Sequence, residues 1–548
     1  MQEKDDAMIM TTTRGAQRFL VCLSLVALAG AAPVAESPSK DDAAGPRPGR
    51  SKLVYPGPDG RLVYMPAANG DTIPDFSNCG YMGGGVRLPD VAVMVTLEPT
   101  TGGSDDTARI QQAIDDISKR TPDADGFRGA VLLKKGTYRV NGQLKIVASG
   151  VVLRGEGQDA DGGTVVIAVG KDPRVLIEAK GTAGAQVRDD TRTPITSERV
   201  PVGARTFAVK DASGFKVGDA VIVSRAGNAA WITAIGMDRI TPRHADNPTG
   251  TKQWQPFELP FDRVITAIDG NRVTVDAPIT CAIEQQWGGG SLARYDNAGR
   301  IEKVGVENIR FVSEYDATVT RENGGKSYPA DEAHSKRPIT FDNLQNGWVG
   351  DVTAVHFQHG VAQLGRGAKW VTVQDSTTLA PVSILTGGQR YPFSMDGQLL
   401  LVLRCKSEGA RHAFVLGSRV CGPNAFVDCR SWDDHGSSEP HHRWSVGGLY
   451  DHCDANVAIQ DRQYMGSGHG WAGANYVVWN GRGRLVAQTP PTANTWVVGF
   501  VGERGKGAFE PKPDATWDSL GQHVEPRSLY FKQLEDRLGK QAVAEIER

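Results

Sequence analysis

The chain has 548 residues, 40% of them hydrophobic and 23% charged, enough apolar material for a large core. Lys and Arg number 61 against 63 Asp and Glu, so no basic field speaks for nucleic acid and no acidic tail for a cationic partner. Glycine, at 65 residues, favours a turn-rich architecture over a helical one.

At the start of the chain, Arg14 and Arg18 precede the apolar run FLVCLSLVALAG (19–30) and the small residues Ala29, Gly30 and Ala31. This pattern predicts a signal peptide over residues 1–31, with Met1 or Met10 as the start, and a secreted or periplasmic protein. The run is too short to span a bilayer, and no other stretch is apolar enough for membrane insertion. Residues 32–84 read as a linker and N-terminal extension, rich in Pro, Ser, Asp and Gly at first. TGGSDDTARIQQAIDDISKR (101–120) predicts one amphipathic helix capped by Ser104 or Asp105, with Ile110, Ala113, Ile114 and Ile117 as its apolar stripe. GAVLLKKGTYRV, LKIVASGVVLRGEG and TVVIAVG follow as short β-branched strands ended by glycine, without the second helix a doubly wound sheet needs. With the helix they make a cap and first coils over residues 85–184.

Residues 185–300 break this rhythm and read as an inserted, mostly β subdomain. One hairpin is expected in FAVKDASGFKVGDAVIV (207–223) and another in DRVITAIDGNRVTVDAPI (262–279), through Asp269-Gly270-Asn271. Short strands resume over residues 301–508, the main coils. Residues 509–548 form a tail that ends in a single helix, PRSLYFKQLEDRLGKQAVAEIER.

A repeat decides the architecture. LVLRCKS, FVDCRS and YDHCDA align on Cys405, Cys429 and Cys453, spaced by 24 residues each time, and Asn480 follows 27 residues later in a similar context. Periods of this length with only short strands indicate a solenoid whose strands stack into parallel sheets. Alternation then predicts that Leu401, Leu403 and Cys405 share the interior, with Arg404, Asp428 and His452, and Lys406, Arg430 and Asp454, outside as an ion-pair ladder. The cysteines outside the signal, Cys79, Cys281 and Cys421 among them, show no C-x-x-C or zinc-type spacing and read as buried thiols.

DDTARIQQAIDDIS, the GTYRV turn and SGVVLRGEG resemble the cap and first coils of pectate-lyase-like right-handed parallel β-helix proteins. The resemblance covers residues 85–180 and, through the repeat, 300–505. It implies an all-β fold: a right-handed parallel β-helix solenoid with an N-terminal capping helix, an inserted β subdomain and a C-terminal helix. The superfamily holds lyases, hydrolases, epimerases and adhesins, so the fold does not choose a reaction.

The candidate chemistry lies in EPHHRW and its equivalents. His442 precedes Cys453 by 11 residues and His469 precedes Asn480 by 11, with Trp444 and Trp471 two residues further on. Arg411-His412-Ala413-Phe414 repeats the pattern one coil earlier, so His412, His442 and His469 are expected in one row. Packing as core aromatics is one reading. The other puts the imidazoles in an exposed groove, because Arg411, Arg443, Arg462, Glu439 and His441 crowd around them.

A uronate lyase must neutralise a carboxylate, abstract the C5 proton and protonate the leaving oxygen. His412, His442, Arg443 and His469 are the catalytic candidates. Arg390, Tyr391, Arg411, Arg419, His441 and Arg462 are the substrate-binding ones. The resemblance makes a polysaccharide lyase acting on a uronic-acid-containing polysaccharide the leading reading, for a monomer that engages neither nucleic acid nor membrane. No cofactor is required, although Ca²⁺ is one means of neutralising the carboxylate. Two departures stand out: the R-x-P-x-x-R signature of pectate lyases is absent, and Trp432-Asp433-Asp434-His435 matches their W-x-D-H motif only briefly.

Gly468-His469-Gly470 is similar to the G-H-G of polygalacturonases of glycoside hydrolase family 28. An inverting hydrolase with Asp433 and Asp434 as acid and base is therefore the alternative. A non-catalytic glycan-binding surface β-helix is the third reading. No metal site is assigned, since residues stacked about 5 Å apart on successive coils are at the limit for sharing one ion.

Overall fold

The computed structural model describes residues 49–100 and 102–547; the signal peptide, Cys22 and the first part of the linker lie outside the described residues. No helix among the described residues is long and apolar enough to cross a membrane.

Three rows of parallel strands build the solenoid. The first runs from Val93–Leu97 and Gly129–Leu133 through Leu344–Val355, Leu401–Leu403, Cys421–Val427 and Ser445–Asp451 to Thr516–Asp518. The second includes Thr377–Leu379, Lys406–Glu408 and Arg430–Trp432. The third comprises Leu144–Ile146, Val175–Lys180, Arg337–Asp342, Ala362–Leu364, Phe393–Met395, Phe414–Leu416 and Glu439–Pro440. Each coil thus contributes one strand to each row, a parallel β-helix. The helix Thr107–Ser118 closes one end and buries Ile110, Ala113, Ile114 and Ile117 against the first coils. Asp105 supports its start by accepting from the Thr107 amide at 2.9 Å.

Between the first and second rows the chain turns at Asn308, Asp351, Asp375, Arg404, Asp428, His452 and Asn480, stacked coil on coil with φ between 47° and 57°. A left-handed residue bends the strand and resets its alternation. The interior partners are therefore Val402 with Cys405 and Phe426 with Cys429, in the solenoid core. Leu401 and Leu403 face the other way, which corrects the parity read from the sequence. Register places the three cysteines on consecutive coils. The Cys429 thiol reaches the Val402 carbonyl at 3.5 Å, and that of Cys453 the Phe426 carbonyl at 3.4 Å. All three are at most 2% exposed, and burial pushes their pKa values up. Thiol reagents are accordingly expected to label none of them in the native protein and all of them after denaturation, as counted by mass spectrometry. The corner side chains pair outside: Arg404 with Asp375 at 2.7 Å, and His452 and Arg527 with Asp428 at 2.9 and 2.6 Å.

The outward-facing Leu401, Leu403, Val427, Leu449, Trp479 and Trp496 are covered by residues from both chain ends. Val54, Ile73, Phe76 and Cys79 meet Leu529, Tyr530 and Leu534 there, and Gly49–Arg50 pairs in parallel with Val524–Glu525. Residues 49–84 are therefore a packed layer rather than a linker; their Pro and Gly residues shape turns between buried anchors. The single C-terminal helix expected from the sequence is two, Leu529–Leu538 and Lys540–Ala544, because Gly539 takes φ +87°. Buried Asp451 fastens the first of these by accepting from the Ser528 hydroxyl at 2.7 Å and the Tyr530 amide at 2.8 Å.

Burial raises the Asp451 pKa to about 7, whereas an unfolded aspartate titrates near ~4. The native state thus holds the extra proton between those values, and stability declines as pH rises through that window. Asp451→Asn, which keeps an acceptor but cannot ionise, is expected to flatten this decline in urea titrations run from pH 4 to pH 7.

The strands between Gln186 and Asp296 form an antiparallel sheet. Phe257–Asp269 and Arg272–Val275 make the expected hairpin, with Gly270 at φ +56°. The second expected hairpin does not form. Thr206–Ala208 pairs with Arg272–Val275 and Ala220–Gly227 with Phe257–Asp269, so the downstream hairpin is wedged between them. Trp231 and Trp254 of this subdomain pack on Trp444 and Trp471 of the solenoid. Buried Asp262 fixes the junction, bonded to Lys369 at 2.6 Å, Tyr295 at 2.8 Å and Arg300 at 3.1 Å.

Candidate functional site

Beside the third row, five rings come together. Tyr391 and His412 each lie two residues before paired strand residues, Phe393 and Phe414, and their rings are 5.1 Å apart. His441 and His442 follow Glu439–Pro440, the next strand of that row. The His441 ring lies 5.3 Å from His412, 5.2 Å from Tyr391, 5.1 Å from His442 and 5.0 Å from His469. His442 and His469 stack on successive coils at 4.9 Å, as their equal spacing predicts. Gly466, at φ +57°, admits this approach, since a Cβ there would strike the His469 ring.

His412 joins from a different position. Its register partner is Tyr391, and Phe414 stacks on Phe393 inside the solenoid at 5.5 Å. The expected three-rung row is therefore a two-rung row met by His412 from the other side of a strand. His442 and Trp444 do not share a face either: Arg443 and Trp444 both take positive φ, 56° and 61°. The turn sends Trp444 under the inserted subdomain, 4.9 Å from Trp231, and leaves His442 among the imidazoles. Both readings of the sequence thus apply, to alternate residues. The expectation of an exposed groove needs correction, because His469 is 5% and His412 6% exposed.

Glu439, 3% exposed, is the buried negative charge of the cluster. Its Oε1 accepts from Arg462 at 2.6 Å and lies 2.8 Å from His441 Nδ1 and 3.3 Å from His412 Nε2. Arg462 also donates to the His441 carbonyl at 2.7 Å. Sequence reasoning placed Glu439 among the polar neighbours and missed its central role. His412 Nδ1 lies 2.6 Å from the Ser437 carbonyl, so that nitrogen carries the proton and Nε2 presents its lone pair toward Glu439. Arg411 donates to the Tyr391 hydroxyl at 3.0 Å and to the Gly387 carbonyl. Arg443 donates to the Ser467 hydroxyl at 2.7 Å.

Burial, reinforced by arginines, keeps the imidazoles neutral. The His442 pKa falls to about 3 through burial and then Arg443 and Arg462. That of His412 falls to about 3 through burial, opposed by Glu439. Burial, followed by Arg462, drives His441 and His469 far down as well. One nitrogen each of His412 and His441 and one oxygen of Glu439 lie within 4.8 Å of one another, a donor set with metal-binding character.

The remaining candidates divide. Arg419, stacked at 4.1 Å over the Phe257 ring, lines with Arg366 a cleft of about 380 Å³ between solenoid and insert, where Asp342 and Asp396 also lie. Both arginines help to lower the His442 pKa, although no residue of the imidazole cluster lines this cleft. Arg390 is no substrate contact. It is 4% exposed, and its guanidinium ties together the carbonyls of Ser383, Gly409 and Pro329, cross-linking loops. Asp433 is exposed; Asp434 bonds to Ser431, and burial raises its pKa to about 7. A larger cavity, about 1080 Å³, is lined by Arg87, Arg154, Glu307 and Asp351 and shares no residue with the imidazole cluster. Size alone would favour it, but it lacks the convergent ring nitrogens.

No family model matches the sequence, and no curated protein does. Among solved structures, the chain is similar to the tailspike protein gp49 from Pseudomonas phage LKA1, with 12% identity, coverage of 72% of this chain and 57% of that one, and a TM-score of 0.43. It is also similar to the gp54 tailspike of Acinetobacter baumannii bacteriophage AP22, solved in complex with A. baumannii capsular saccharide, with 14% identity, 73% and 56% coverage and a TM-score of 0.44. The Pseudomonas phage phi297 tailspike gp61 gives 15% identity, 72% and 56% coverage and a TM-score of 0.41. The chain therefore spans under three fifths of the length of each, and at these TM-scores the likeness carries no argument about function. The parallel β-helix stands on the strand register of the chain itself, and the site on its own geometry.

Proposed function

We propose that this protein is an exported carbohydrate-active enzyme that cleaves a uronic-acid-containing polysaccharide by β-elimination. The observation that carries the reading is the convergence of Tyr391, His412, His441, His442 and His469 with Arg411, Arg443 and Arg462 around one buried carboxylate. Arg443, with Arg419 and Arg366, whose charges all act on His442, supplies positive charge for a substrate carboxylate. The neutral His442–His469 pair provides a base for the C5 proton, and the substrate's own negative charge offsets the arginines that hold these rings low. Tyr391, held by Arg411, is placed to return a proton to the leaving oxygen. The pectate-lyase-like resemblance of the first coils supports the same reaction class.

An inverting hydrolase needs two carboxylates on opposite sides of a sugar. The imidazole cluster contains only Glu439, already committed to Arg462, while Asp434 bonds to Ser431 in a separate turn. The lyase reading is therefore preferred. A panel of uronic-acid and neutral polysaccharides tests it, monitored for new reducing ends and for ultraviolet absorbance of an unsaturated product. Both signals together are expected on a uronate polymer. Reducing ends alone would establish hydrolysis, and neither signal on any glycan would leave a binding protein.

A further inference from the structure

We infer that His412, Glu439 and His441 form a binding site for one divalent transition-metal ion of the Zn²⁺ or Mn²⁺ type. Three potential ligand atoms converge there, His441 Nδ1 becoming one when its proton moves to Nε2. The His412 Nε2 lone pair and the Glu439 Oε1 are 3.3 Å apart, and His441 Nδ1 is 2.8 Å from the same oxygen. A ring nitrogen from each histidine and the carboxylate oxygen all fall within 4.8 Å of one another; an ion at ~2.1 Å from each spans at most ~4.2 Å, which a small shift of the rings brings within reach.

A second observation is independent of that clustering. His412 is 6% exposed, its Nε2 has no hydrogen-bond partner, and its Nδ1 donates to the Ser437 carbonyl at 2.6 Å. A histidine with one nitrogen held by a backbone carbonyl, and the other buried, bare and aimed at a carboxylate, has the tautomer and orientation of a metal ligand. Left alone, that lone pair faces a negative oxygen in a low-dielectric setting, which is costly. A cation between them turns the repulsion into two bonds.

Arg462 competes with the ion. Its Nη1 donates to Glu439 Oε1 at 2.6 Å and lies 2.9 Å from His441 Nδ1, so metal uptake displaces it from that ring nitrogen, while the carboxylate keeps lone pairs for both partners. Arg411, bonded to Tyr391, and Arg443, bonded to Ser467, are the next cations. Together with the ion they leave a positive site, so the open coordination positions suit an anionic ligand such as a carboxylate. Ca²⁺ takes about six to eight oxygen ligands, which two imidazoles and one carboxylate do not supply, so the set disfavours Ca²⁺, and its imidazoles favour Zn²⁺ most.

The test uses the full-length chain, stripped with a chelator and dialysed against Zn²⁺, Mn²⁺ or Ca²⁺ separately. Elemental analysis gives the stoichiometry, and competition with a chromophoric chelator gives the affinity. One Zn²⁺ or Mn²⁺ per chain is expected, with no stoichiometric Ca²⁺. His412→Gln and His441→Gln are each expected to weaken binding by at least ~100-fold, more than loss of an outer hydrogen-bond partner costs. His359→Gln, a buried histidine outside the trio, is expected to leave affinity unchanged and controls for general loosening. Absence of uptake, or equal affinity in the His412→Gln protein with an unaltered circular dichroism spectrum, overturns the site and leaves Arg462 as the sole countercharge. Binding and reaction fail separately. A chain that takes up one ion yet cleaves no glycan supports the site against the lyase reading, and an active chain that takes up none does the reverse.

Discussion

His442→Ala and His469→Ala are each expected to lower kcat by at least ~100-fold on the polysaccharide that the panel identifies, the loss typical of a missing general acid or base. Their effects on stability are expected to diverge. His442 is half-buried at the edge of the cluster, so its removal leaves the melting temperature nearly unchanged. His469 is 5% exposed and pressed against Gly466, so the alanine leaves a void and the melting temperature falls as well. Thermal denaturation alongside initial rates separates the two. A fully active His442→Ala protein would reduce the imidazole stack to a packing motif.

Glu439→Ala is expected to be the most damaging single change in the site. It strips the countercharge from Arg462, itself 7% exposed, and breaking a buried pair by removing one partner typically costs 3–5 kcal/mol. The bond from Arg462 to the His441 carbonyl remains and holds the loss toward the lower end. Glu439→Gln keeps an acceptor of the same shape and is expected to recover much of the stability but little of the activity. Urea denaturation of both variants checks the order. Equal stability of Glu439→Ala and the wild type would show that water reaches the pair and that the cluster is open.

The solenoid was legible because its period is written in a residue type that tolerates only the interior: Cys405, Cys429 and Cys453, each 24 residues apart. The corner between rows was not. Asn308, Asp351 and His452 are of types enriched at positive φ, but Arg404 is not, so hydrophobic alternation was carried through a bend that interrupts it. The same effect hid the second apolar layer and made a packed N-terminal segment look like a linker. In the site, the spacing of His442 and His469 was readable because both lie on equivalent turns. His412 was misplaced because it precedes its third-row strand, Phe414–Leu416, whereas His441 and His442 follow theirs, Glu439–Pro440. Arg390 looked exposed in its Gly-rich turn, and only the fold reveals the three carbonyls it joins. The role of Glu439 depends on Arg462, 23 residues away on the next coil, which no local pattern encodes.

The double seal over the outer apolar face also bears on how the chain reaches its native state. A parallel β-helix can grow coil by coil as it emerges, each new strand templated by the one before. The strip formed by Leu403, Val427, Leu449, Trp479 and Trp496 cannot be roofed in that way, because half of its roof is Leu529, Tyr530 and Leu534. Until those residues are synthesised and dock, the nascent chain carries a continuous greasy stripe along several coils, and the early segment around Phe76 has only half its own contacts. Maturation is thus gated by the helix Leu529–Leu538, and a ribosome stalled before residue 529 would release a well-wound but sticky intermediate of the kind that chaperones hold.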